Sequence, residues 1–141
     1  NYAVFGEKDF QQLLIIKSLV KNLDLDITIE SMPTVREEDG LAMSTRNQYL
    51  TNEDREKVPS FYRILNNIKH FIQNGKSVLS AKEDAINSLS REFEVEYLEV
   101  LDANNLTQIQ TNTSEIIIIS AIRFGGTRLI DNIVFKRKDD V

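Results

Sequence analysis

Two short segments of the chain carry residues whose types and spacing could do chemistry. Gly6-Glu7-Lys8-Asp9 stands where a strand-like run gives way to a helical one, and Gln12 follows one turn further on. At the end of a parallel strand, free backbone N–H groups and the positive end of a helix favour an anion such as a phosphate. Lys8 adds a compact, mobile charge suited to phosphoryl oxygens. The plainer reading of the same residues is local. Asp9 and Gln12 have the spacing of a capping pattern, with Asp at N-cap and Gln at N3, and Gly6 then serves as a turn. The second segment is Asp39-Gly40-Leu41-Ala42-Met43-Ser44-Thr45-Arg46-Asn47. Two hydroxyls and a guanidinium on a loop of small residues can wrap a polyphosphate. The hydroxyls of Ser44 and Thr45 give single hydrogen bonds, and Arg46 supplies a planar, permanently charged fork. Its plainer reading is a solvated loop leading to a helix capped by Thr51.

The elements that must position these segments follow from hydrophobic periodicity. Tyr2 to Phe5 reads as a short buried strand ended by Gly6. From Asp9, Phe10, Leu13, Leu14, Ile16, Leu19, Val20 and Leu23 recur at helical steps. Ile27 to Met32 reads as a second strand, closed by Pro33. Strand, glycine turn, helix and strand make one βαβ unit and imply a parallel sheet. Such a unit cannot cover both its faces alone. Past the turn-rich loop, a helix is expected from about Thr51 to Gln73, with Pro59 forcing a late start or a kink and Asn74-Gly75 ending it. A second runs from about Ser77 to Phe93, or from Ser80 if Ser80 and Glu83 form a capping box. Val95–Leu101, Glu115–Arg123 and Arg128–Phe135 read as strands, and Gly125-Gly126 signals a hairpin between the last two. Lys136–Val141 reads as a frayed tail.

Composition narrows the class. The 141 residues are 41% hydrophobic and 28% charged, with a net charge of -5, as in an ordinary globular protein that can bury a core. The acidic balance and the lack of a basic stripe argue against nucleic acid as a partner. Without cysteine there is neither a disulfide framework nor a thiolate zinc site. The longest apolar run, Ile116 to Ile119, is far too short to span a bilayer. These features fit a reducing cytoplasm. The chain opens at Asn1, directly in a strand-like run, so its numbering is expected to begin inside a longer protein.

Three motifs together carry a resemblance. Phe-Gly-Glu-Lys-Asp-Phe-Gln-Gln at 5–12, Asp-Gly-Leu-Ala-Met-Ser-Thr-Arg-Asn at 39–47 and Arg-Leu-Ile-Asp-Asn at 128–132 resemble, in order and spacing, the pantothenate synthetase (pantoate–β-alanine ligase) family. The resemblance implies an α/β fold: the trailing βαβ part of a Rossmann-like nucleotide-binding domain over 1–37, then a small α+β lid domain over 38–141, with two helices and a three-stranded antiparallel sheet. It implies an ATP-dependent ligase that condenses pantoate with β-alanine through a pantoyl adenylate, yielding pantothenate, AMP and pyrophosphate on the route to coenzyme A. Carried over position by position, Gly6, Glu7, Lys8 and Asp9 contact ATP, with Gly6 and Asp9 near the ribose and Lys8 near the phosphates. Gln12 hydrogen-bonds pantoate, and Val35 meets the adenine through its backbone. Met43, Ser44, Thr45 and Arg46 resemble the family's version of the Lys-Met-Ser-Lys-Ser loop that closes over the triphosphate. Lys8 and Arg46, with Mg²⁺, are the expected catalytic charges. Thr45 stands where serine is more usual; the hydroxyl is kept on a stiffer side chain. A cytoplasmic homodimer is implied for the intact enzyme.

The family's histidine motif is absent from this sequence, so the chain alone is expected to be inactive. His70, the one histidine, falls on a predicted helix and is expected at the surface or helix edge. Arg128 and Asp131 are read as a structural charged pair within the last strand. Two rival functions fit the residues: another nucleotidyltransferase of the same superfamily, or a non-catalytic α+β interaction module.

Overall fold

In the computed structural model the chain divides into two compact units, Asn1–Val35 and Arg36–Val141, and residues 1–138 are described. The fold is α/β, with a parallel pair of strands in the first unit and an antiparallel sheet in the second.

The first unit is β1 (Tyr2–Gly6), a single 3-10 turn (Glu7–Asp9), α1 (Phe10–Asn22) and β2 (Thr28–Met32). The strands pair in parallel, Tyr2 opposite Thr28 and Gly6 opposite Met32, as a βαβ crossover requires. Two expectations need correction. The Asp9 carboxylate accepts no capping hydrogen bond, because the chain enters α1 through the 3-10 turn with Asp9 at φ -90°, ψ 61°. The strand expected to be buried is also largely open, with Tyr2 74% and Val4 57% exposed. Two strands and one helix can cover only one side of each element, so within this unit only Phe10 and Leu13 are buried.

The second unit places α2 (Asn52–Lys57), α3 (Pro59–Gln73) and α4 (Val78–Leu89) before the sheet of β3 (Glu94–Asp102), β4 (Glu115–Phe124) and β5 (Thr127–Lys136). The single helix expected from Thr51 to Gln73 is two. Thr51 does cap the first, its Oγ1 accepting from the Asp54 N–H at 3.1 Å. Pro59 has no N–H to offer the preceding turn and starts a new helix at its first position. That helix ends at Gln73, and Gly75, φ 89°, lies just past its cap, where Lys76 N–H reaches the Phe71 carbonyl at 3.0 Å and Gly75 N–H the Ile72 carbonyl at 3.1 Å. This is the Schellman pattern that a left-handed glycine permits. Ser77, not Ser80, caps α4, accepting from the Ser80 N–H at 3.2 Å.

The sheet runs β3-β4-β5, antiparallel throughout. Gly125 and Gly126 both take positive φ, 56° and 76°, as a two-residue hairpin turn demands. Phe61, Leu65 and Ile68 of α3 and Ala81, Ala85 and Leu89 of α4 pack on the face of the sheet that carries Ile116, Ile118 and Ile122. The Ile116–Ile119 run is core, as expected. His70 is exposed on α3. Lys136 belongs to β5, opposite Glu115, and is no tail; residues 139–141 lie outside the described residues.

The expected Arg128–Asp131 pair does not form. Residues three apart on a strand point to opposite faces. Arg128 instead meets Glu96 of β3 at 2.7 Å, and Arg123 meets the same carboxylate at 2.6 Å. The two guanidiniums, Arg128 first, hold the Glu96 carboxyl below the usual glutamate range. A depressed carboxylate stabilises the fold above its unfolded pKa, and that contribution is lost as pH falls through the folded value. Glu96→Gln should therefore lower the urea midpoint slightly at pH 7, and the difference should close as pH drops well below about 4.3. Parallel urea curves across that range check it.

Candidate functional site

The first candidate segment is built by the end of β1. Gly6 is extended, φ -74° and ψ 142°, a conformation open to any residue. A Cβ added there would meet nothing within 4 Å. Neither backbone strain nor a neighbour among the described residues asks for glycine at position 6. The missing side chain leaves bare backbone at the carboxyl end of a parallel strand, where a ligand can approach closely. Phe10 and Leu13 turn inward, which leaves Asp9 and Gln12 exposed, with Glu7 and Lys8 half-buried in the 3-10 turn. Five predicted residues, Gly6, Glu7, Lys8, Asp9 and Gln12, thus stand together at one strand–helix junction. Val35, the last residue of this unit, is 64% exposed.

The second segment is a loop tied down at its stem and open at its tip. Arg36 holds the stem. Its guanidinium forms a paired bond to Asp131 of β5, Nη1 to Oδ2 at 2.7 Å and Nη2 to Oδ1 at 2.9 Å. It also donates to the Gly40 carbonyl at 3.0 Å and the Asn132 carbonyl at 3.2 Å, and it lies 4.0 Å over the Tyr62 ring. Arg36 bridges Ala42 across the stem, while Leu41 and Ala42 are buried. The turn itself needs Gly40: its φ is 92°, and a Cβ would run into the Tyr62 ring. Asp39 accepts from the Leu41 N–H at 3.1 Å and from Arg55 at 2.6 Å. The Arg55 hydrogen bond holds the Asp39 carboxyl below the usual aspartate range.

Beyond Ala42 the four predicted residues come together on a short span. Met43, Thr45 and Arg46 are exposed and Ser44 is half-buried. Ser44 Oγ accepts from the Arg46 N–H at 3.2 Å, which starts a 3-10 segment, Thr45–Tyr49, packed on β5. Among the described residues no ion pair takes up the Arg46 guanidinium. Asn47 closes the span by donating Nδ2 to the Ala42 carbonyl at 3.1 Å, and its Oδ1 is buried without a hydrogen-bond partner among the described residues.

The two segments share a chemistry. One offers strand-end amides and an ammonium, the other hydroxyls and an unengaged guanidinium; both suit phosphoryl oxygens. Among the described residues no three His, Asp or Glu side chains converge as a metal cage. The expected Mg²⁺ therefore finds no cage of such side chains among the described residues.

Sequence reasoning missed Arg36, Tyr62 and Asn47, and it misassigned the partner of Asp131. One signal was available. Asp131 shares strand parity with Leu129, Ile133 and Phe135, so it had to face the core, and a carboxylate there needs a cation.

The chain matches the Pantoate-beta-alanine ligase family over residues 1–134. It is 54% identical over 140 residues to the pantothenate synthetase of Vesicomyosocius okutanii, covering 99% of this chain and 50% of that one. It is 53% identical to the pantothenate synthetase of Ruthia magnifica, over 97% of this chain and 49% of that one. Among solved structures, the pantothenate synthetase of Thermus thermophilus superposes with a TM-score of 0.87 at 40% identity, covering 94% of this chain and 49% of that one. The pantoate-beta-alanine ligase of Francisella tularensis, complexed with beta-gamma ATP and beta-alanine, superposes with a TM-score of 0.69 at 30% identity, over 95% of this chain and 43% of that one. The chain spans about half the length of the curated relatives it matches, corresponding to their C-terminal half. On these matches the chain belongs to the pantoate–beta-alanine ligase family.

Proposed function

We propose that this chain supplies the trailing nucleotide-binding segment and the lid domain, 1–37 and 38–141, of a cytoplasmic, dimeric ligase that joins pantoate to β-alanine at the expense of ATP. The observation that carries the reading is the unengaged Arg46 guanidinium, held out on a loop whose stem is pinned. ATP and β-alanine as ligands are supported by the Francisella tularensis relative, which is described in complex with both.

In the first step a pantoate carboxylate oxygen attacks the α-phosphorus of ATP. The bond to the bridging oxygen breaks, and pyrophosphate leaves with its electrons. Charge grows on the leaving group, and Lys8 and Arg46 are the residues that neutralise it. Gly6 and Asp9 meet the ribose, Glu7 completes that strand-end contact, and Val35 meets the adenine through its backbone. Met43, Ser44 and Thr45 line the triphosphate beside Arg46, and Gln12 orients pantoate by a hydrogen bond. In the second step the β-alanine amine attacks the acyl carbon of the mixed anhydride, the amide bond forms and AMP leaves, with one proton released from nitrogen. Enclosure by the lid keeps water from the adenylate. Mg²⁺ would arrive with the triphosphate and add to the charge neutralisation that Lys8 and Arg46 supply. With no histidine motif in its sequence, the chain by itself is inactive in this reading.

The test joins this chain to the preceding half of the Vesicomyosocius okutanii relative. The joined protein should catalyse ATP–pyrophosphate exchange only when pantoate is present and form amide only with β-alanine, while the chain alone does neither. Exchange indifferent to pantoate would point to another nucleotidyltransferase. No affinity for ATP would leave a mere interaction module.

A further inference from the structure

We propose that Arg36 is a positioning residue for the Met43–Arg46 loop, acting through its paired contact with Asp131 on β5. The inference rests on the reading above, in which Arg46 meets the nucleotide.

Arg36 and Arg46 belong to one loop and are used in opposite ways. The Arg36 guanidinium is spent on the protein: both Asp131 oxygens, the carbonyls of Gly40 and Asn132, and the face of Tyr62. It has little left for a ligand. Asp131 is 3% exposed and sits opposite Ser120, on the face of β5 that meets the helices. A buried ion pair is a poor device for stability, because apolar residues of similar size often serve as well. What a bidentate Arg–carboxylate pair adds is direction, since its planar fork fits in one orientation.

That direction reaches the tip of the loop through a short series of contacts. Arg36 grips β5 at one end and the Gly40 carbonyl at the other, and its bridge to Ala42 closes the stem. The Asn47 amide, bonded to the Ala42 carbonyl, closes the base of the next span. Residues 43–46 therefore run between Ala42 and Asn47, both referred to β5. A shift of about 1 Å at a reacting group can cost on the order of a hundredfold in rate. The stem thus fixes the quantity that matters for Arg46: where its charge stands.

The test is a double-mutant cycle in the joined protein, with Asp131→Asn, Arg46→Ala and the pair together, read by pantoate-dependent ATP–pyrophosphate exchange. Circular dichroism and urea curves establish the folded fraction at the assay temperature. Asp131→Asn should lower kcat about tenfold or more in folded protein while the KM for pantoate holds, and Arg46→Ala about a hundredfold. The double variant should be no slower than Arg46→Ala by more than about twofold, because a stem cannot misplace a charge that is gone. Arg36→Lys, which keeps the charge but loses the fork, should show the same non-additivity, and it serves as the second variant if Asp131→Asn does not fold. Losses that multiply in the double variant, or a loss that merely tracks the unfolded fraction, would overturn the positioning role. Wild-type exchange in Arg46→Ala alone would instead remove the nucleotide reading on which the role rests, a distinct failure.

Discussion

Arg46→Ala in the joined protein is expected to slow pantoate-dependent ATP–pyrophosphate exchange by about a hundredfold or more, and Lys8→Ala by a similar factor. In the proposed reading each removes a permanent or near-permanent cation from the place where negative charge would develop as pyrophosphate leaves. The exposed Arg46 side chain enters no ion pair among the described residues, so its loss should leave the fold almost untouched. The unfolding free energy should move by less than about 0.5 kcal/mol, the usual range for a surface change. Activity without stability is the signature sought. Near-wild-type exchange in both variants would take these residues out of the mechanism.

The largest expected effect on stability is Phe61→Ala, which should cost about 3–5 kcal/mol, the range for deleting a buried aromatic ring. Phe61 is 2% exposed. Its ring lies 6.3 Å from that of Phe93, which meets Phe124 edge-on at 4.9 Å, so truncation leaves a cavity between α3 and the end of the sheet. Leu19→Ala makes the matched control. Leu19 is 47% exposed on α1, and its truncation should change the stability of this chain by no more than about 0.5 kcal/mol. Far-UV circular dichroism in urea measures both. Equal costs would mean that the weight of the core has been misjudged.

The elements readable from sequence were those fixed by local chemistry. Gly75 and the Gly125-Gly126 pair announce their turns because only glycine tolerates those backbone angles readily, and Pro59 breaks its helix for want of an N–H. The three strands of the second unit were legible from their apolar runs, bounded by turn residues. Legibility ended where distant residues meet. Arg36 and Asp131 are 95 positions apart, and nothing local to Arg36 says which carboxylate it will find. Asp9 is instructive in the other direction: its spacing to Gln12 fits a cap, yet the chain turns into α1 by a different path. The exposure of Tyr2 and Val4 was hidden for a related reason. Periodicity tells which face of a strand is apolar, and what covers that face is a matter of the whole sheet. The candidate site divides along the same line. Its proposed ligand-facing residues are announced by type and order, whereas the residues that pin the second segment, Arg36, Tyr62, Asn47 and Asp131, are visible only in three dimensions.

The distance along the chain between Arg36 and Asp131 has a consequence for biosynthesis. At about 5–20 residues per second, the ribosome makes Arg36 roughly 5–20 s before its partner 95 positions later. During that interval the helices and the β3–β4 pairing can form, while the stem of the loop lacks its grip on β5. The closing of so long a stretch of backbone also comes late in refolding, since its entropy must be lost before the contact repays it. A nascent or truncated chain that stops short of β5 would carry the Met43–Arg46 loop without the strand that pins its stem. In the proposed reading, the placing of the Arg46 charge therefore arrives with the final strand.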